Sequence, residues 1–65
     1  MKVSYDPHAD AVYLRFAKGK VARTEEVRDG IIVDYDEAGR IAGIEILHAS
    51  QTLPDTALKD LSARK

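Results

Sequence analysis

Turn residues punctuate this chain so often that no long element fits before Ser50. Asp6-Pro7-His8, Lys18-Gly19-Lys20, Asp29-Gly30 and Asp36-Glu37-Ala38-Gly39-Arg40 each interrupt a short apolar run. Pro7 has no amide donor and a fixed φ, and Asp6 favours a turn start. Asp-Gly between two strand-like runs predicts a two-residue type I′ hairpin, which needs positive φ at both central residues. Asp36 is placed to cap its turn with its side chain, and Gly39 to take the left-handed bulge position. Short strands joined by tight turns are the pattern of an antiparallel sheet.

The runs between the turns support that pattern. Lys2 to Tyr5 alternates polar and apolar residues. Ala11 to Ala17 alternates most clearly, with Val12, Leu14 and Phe16 on one side and Tyr13 and Arg15 on the other. Val21 to Arg28 is highly charged, which suits an edge strand. Ile31 to Tyr35 and Ile41 to Leu47 complete five strands. After Ser50, the spacing of Leu53, Ala57, Leu58 and Leu61 predicts a helix over 52–62, with Thr52 as N-cap, Asp55 three residues on and Pro54 in the first turn. The expected fold is one α+β domain over residues 1–65. An antiparallel β-meander over 2–48 carries one C-terminal helix on one face.

The turns also suggest a register. A type I′ turn at Asp29-Gly30 sets Val27 opposite Ile32, and the next turn sets Ile32 opposite Ile44. One face then carries Val27, Ile32, Ile44 and Ile46. The other carries Ile31, Val33, Tyr35 and Ile41 among charges. One helix covers one face of a small sheet, so the second set is expected to meet a partner. The same register puts Glu25 opposite Asp34, an unfavourable like-charge pair. A bulge or shift in the third strand is the expected remedy.

Size points the same way. A chain of 65 residues buries only about 60% of its unfolded surface, and such domains often gain stability from disulfides, metals or association. With no cysteine, disulfides and thiolate metal sites are excluded. Self-association, with a dimer favoured, is therefore expected. The net charge of −1 and interspersed charges give no basic stripe for nucleic acid. No run approaches a membrane span, and no signal-peptide pattern opens the chain, so a cytoplasmic protein is expected.

Catalytic signatures are lacking. No nucleophile elbow surrounds Ser4, Ser50 or Thr52, and the glycines form no phosphate-cradling loop. Glu25 and Glu26 are adjacent on a strand and face opposite sides. Asp34 to Glu45 resembles a calcium loop at Asp34, Asp36, Gly39 and Glu45, but Ala38 breaks it and both flanks are strands. Asp6, His8, Asp10 and His48 are the candidate ligands of a small-ligand or metal site, although their spacing does not require convergence. No catalytic residue and no cofactor is assigned.

Tyr5-Asp6-Pro7 followed by Ala9-Asp10-Ala11-Val12-Tyr13-Leu14 resembles the Y-D-x-x-A-D-A-x-Y-I opening of a bacterial and archaeal family, domain of unknown function 2283. Glu25, Val27, Gly30, the run Ile31 to Asp36, Gly39-Arg40 and Gly43-Ile44-Glu45-Ile46-Leu47 match its E-x-V-x-x-G-x-x-V-D-Y-D-x-x-G-x-x-x-G-I-E-I-L core. The resemblance implies a small stand-alone bacterial protein without an established activity. It also implies an antitoxin-like role toward another small protein. Asp6, Asp10, Asp34 and Glu45 are the matched positions that turns and core do not explain.

Overall fold

The computed structural model describes residues 1–16 and 18–63. Five antiparallel strands form one open sheet: β1 (Lys2–Asp6), β2 (Ala11–Arg15), β3 (Arg23–Arg28), β4 (Ile31–Tyr35) and β5 (Ile41–Ile46). Two short helices follow, α1 (Ala49–Thr52) and α2 (Asp55–Ala63). The α+β class and the antiparallel strands are as expected. Ala17, expected to end the second strand, lies outside the described residues.

The strands are not in chain order. The sheet runs β1-β2-β5-β4-β3, so the β2–β3 link crosses from the middle of the sheet to its edge. A simple meander is therefore replaced by the β1–β2 hairpin docked on the β3–β4–β5 hairpins. β5 pairs with β2 through Val12 and Ile46, Tyr13 and Glu45, Leu14 and Ile44, and Arg15 and Gly43. The charged β3 is at the edge, as its composition predicts, and every residue of it is exposed.

The expected register is corrected in β4. Val33, not Ile32, lies opposite Ile44, while Ile32 faces Glu45. A slip of one residue exchanges the two faces of a strand. Ile31 and Val33 therefore join Val12, Leu14, Ile44 and Ile46 on one apolar face. The opposite face is polar, with Ser4, Tyr13, Glu45, Asp34, Thr24 and Glu26 around Ile32. Two apolar faces would have doubled the area needing cover; this register leaves one.

The Asp29-Gly30 turn also differs. Gly30 has φ 82°, but Asp29 is not among the positive-φ residues, so the turn is not type I′. Arg28 still pairs with Ile31, but the next pair is Glu26 with Ile32, leaving Val27 in a bulge. The bulge moves Glu25 opposite Val33 and brings Thr24 opposite Asp34. This is the shift that the expected Glu25–Asp34 clash called for.

The helix expected over 52–62 starts at Asp55, and a separate short helix, α1, precedes it, so Thr52 ends α1 rather than capping α2. Pro54 has no N–H with which to continue α1, and the residue before a proline is driven to extended geometry. Leu53 has φ −102° and ψ 151° accordingly. Thr52 therefore ends α1, and the carbonyl of Pro54 opens α2 by accepting from Ala57 N at 3.0 Å and Leu58 N at 3.2 Å. α2 packs against β1 and α1 against α2. Among the described residues the buried apolar set is small: Ala11, Val12, Val33 and Ala49.

Candidate functional site

The polar face carries a hydrogen-bonded row that spans three strands. The Tyr13 hydroxyl on β2 donates to Asp34 Oδ2 on β4 at 2.7 Å, and Thr24 Oγ1 on β3 donates to Asp34 Oδ1 at 2.8 Å. Tyr13 reaches over β5 because Gly43 lies between them: a Cβ there would stand 2.7 Å from the Tyr13 hydroxyl. The bond to Asp34 and partial burial raise the Tyr13 pKa above its ordinary value, so the phenol stays protonated as a donor. Asp34 thus has partners for both oxygens, which removes the puzzle of an acid in an apolar strand.

A second acid joins the hairpin to the helices. Asp10 adopts φ 54°, a left-handed conformation that aspartate tolerates better than most residues. Its carbonyl accepts from Ala49 N at 2.9 Å, and its Oδ1 from Ser50 N at 3.0 Å. Two otherwise unpaired N–H groups at the start of α1 are satisfied by one residue forty positions upstream. Ser50 Oγ donates to Oδ2 at 2.6 Å, and the Tyr5 hydroxyl to Oδ1 at 3.2 Å. The Ser50 side-chain bond holds the Asp10 carboxyl below its ordinary pKa, with smaller help from the Ser50 N–H, Tyr5 and His48. His48, the residue before α1, has φ 52° and makes no side-chain cap of its own.

The four candidate ligands do not form a site in this geometry. Asp6 Oδ1 accepts from His8 N at 3.0 Å and Ala9 N at 3.4 Å, which is a turn-stabilising role. His8 is exposed in that turn, Asp10 is engaged at α1, and His48 is exposed at the helix start. Among the described residues no three His, Asp or Glu side chains are grouped to hold a metal. An open cleft of about 370 Å³ lies at the other end of the sheet, lined by Lys18, Lys20, Glu37, Arg40 and Ile41 among others. None of the four candidates lines it.

The expected contact residues are differently exposed. Val33 is 5% exposed, whereas Ile41 opposite Tyr35 is 50% exposed. Ile31 and Tyr35 are half-buried. The Arg23 guanidinium stacks 4.3 Å from the centre of the Tyr35 ring. Phe16, whose N–H donates to Ala42 O, is 42% exposed beside them. Tyr35 and Ile41 thus lie opposite each other, with Phe16 bonded to the residue after Ile41, at the end of the sheet away from α1 and among the charged Lys18, Lys20 and Arg40.

The family model for proteins of unknown function, DUF2283, matches residues 2–50. The chain belongs to this family. The matched segment takes in all five strands, the Asp10 joint and the Tyr13–Asp34–Thr24 row. No curated protein and no solved structure matches the chain. Local patterning in the sequence does not bring Tyr13, Thr24 and Gly43 to Asp34, or Ser50 to Asp10. A glycine within a strand is the available signal, since it often marks close approach of a neighbouring group.

Proposed function

We propose that this protein is a small, non-catalytic interaction module that works as a homo-oligomer, with a dimer as its smallest working unit. One observation carries the reading. The chain exposes 4944 Å², whereas a compact monomer of its 7.2 kDa is expected to expose about 4100 Å². An excess of roughly a fifth is surface that a second chain can cover.

The small core supports the same reading. Among the described residues the largest side chain under 2% exposed is that of Val12, and the only other buried apolar residues are Ala11, Val33 and Ala49. The exposed Phe16 and Ile41, set among the charges at that end of the sheet, offer a docking place for a further small protein, the form an antitoxin-like role would take. The polar row and the Asp10 joint both have evident structural roles: Asp34 ties β2, β3 and β4 together, and Asp10 ties the β1–β2 hairpin to α1. Light scattering across a dilution series tests the proposal. A species of at least twice the chain mass supports it; a monomer at every concentration overturns it.

A further inference from the structure

The self-association reading leaves open which surface meets the second copy, and the geometry points to one. We propose that two chains pair antiparallel through β1 on a two-fold axis at Ser4, joining their sheets into one continuous sheet. The inference rests on the self-association reading and adds its place and register.

β1 is at the edge of the sheet, with β2 on one side only. Unlike β3, it pairs without a bulge along its whole length. An edge strand offers a row of N–H and C=O groups to any matching strand. A two-fold axis perpendicular to the sheet keeps each residue on its own face. Centred on Ser4, it sets Lys2 opposite Asp6 of the second copy, Val3 opposite Tyr5, and Ser4 opposite Ser4. Both charged pairs are attractive, and all fall on the polar face. Val3 and Tyr5 meet on the apolar face, and α2 lies against β1, so the helix layer also continues across the seam. Cross-strand pairs of these kinds are the units of sheet stability.

The other edge is unsuited to the same pairing. An axis at the middle of β3, on Glu25 or Glu26, sets that carboxylate opposite its own copy, and the bulge at Val27 interrupts the ladder. A two-fold contact through one patch closes on itself and stops at two chains.

Cysteine scanning tests the register directly, since the chain has no cysteine. Directly opposed antiparallel residues have Cα atoms about 4.5 to 5.5 Å apart, within the span of a disulfide. Ser4 is exposed, so Ser4→Cys is a mild change. Under mild oxidation Ser4→Cys is expected to convert almost wholly to a linked dimer. Lys2→Cys is expected not to, because the axis separates the two copies of that position by about 14 Å. Lys2→Glu is expected to raise the dimer dissociation constant about tenfold, because two opposite-charge pairs become like-charge pairs.

A wild-type dimer whose Ser4→Cys variant does not link would overturn the β1 contact and leave self-association through another surface, such as the Ile41 end. Equal linking of both cysteine variants would overturn it too, as the mark of random encounter. A wild-type monomer at all concentrations would remove self-association and the β1 contact together.

Discussion

Tyr13 reaches Asp34 across Gly43, and the 2.7 Å bond between phenol and carboxylate exists because that position of β5 has no side chain. One hydrogen bond therefore ties β2 to β4 over the strand between them. It also explains why a glycine occupies the middle of a strand, where it would otherwise weaken the sheet.

Gly43→Ala is expected to destabilise the protein by about 1 to 3 kcal/mol, the usual cost of overpacking. The new Cβ would meet the Tyr13 hydroxyl at 2.7 Å and the Leu14 carbonyl, which is backbone, at 3.0 Å. Tyr13→Phe alone is expected to cost about 1 kcal/mol for the lost bond. In the Gly43→Ala background the same change should cost less, because the bond is already displaced. Denaturant melts of both single variants and the double variant measure that coupling. Strict additivity would show that Gly43 and Tyr13 act independently.

Asp10→Ala is expected to loosen α1 and to cost about 1 to 2 kcal/mol, the range for losing a helix cap. It removes the acceptor for Ser50 N, Ser50 Oγ and the Tyr5 hydroxyl, and it leaves alanine at φ 54°. Asp10→Asn keeps a residue suited to that conformation and should cost less. Amide exchange at Ser50 should accelerate in both. Unchanged exchange in Asp10→Ala would contradict the joint.

Stability should fall at both ends of the pH range, for separate reasons. The Asp10 carboxyl titrates below its ordinary value of 3.8 in the folded protein, so its contribution is present above that pH and is lost as pH falls through the folded value. Asp36, held low chiefly by the Arg40 N–H, adds to the same loss. Tyr13 titrates above its ordinary 10.0, so its contribution is full below pH 10 and is lost as pH rises through the folded value. Melting temperature against pH should lose part of its alkaline fall in Tyr13→Phe and part of its acid fall in Asp10→Asn. Curves that superimpose on wild type would contradict these assignments.

Val33→Glu is expected to unfold the protein rather than split an assembly. Val33 is 5% exposed, and a carboxylate there would be buried without a partner. Ile41→Glu, at a half-exposed position, should leave the melt within about 0.5 kcal/mol of wild type. Circular dichroism distinguishes the two. A folded, stable Val33→Glu would place that position on the surface.

Much of the local structure is legible in the sequence. Asp36 accepts from Ala38 N and Arg40 N at 2.9 Å each, and Gly39 has φ 83°, as the turn pattern predicts. The charge run in β3 marks its edge place, and the expected Glu25–Asp34 clash marks its shift. What local patterning could not supply was the order of strands. The pairing of β2 with β5 is non-local, and it is what brings Tyr13 over Gly43 to Asp34. The face of Ile32 was misassigned because Ile31, Ile32 and Val33 are all apolar, so alternation is silent there. The helix break was visible in Pro54, which a first-turn proline explains equally well. Asp10 and Ser50 are forty positions apart, and neither residue type announces the other.

The central claim is that this chain works in association, and its mass in solution tests that most directly. Light scattering from micromolar to millimolar concentration is expected to show a species of twice 7.2 kDa that dissociates on dilution. A mass of 7.2 kDa throughout that range would contradict the claim.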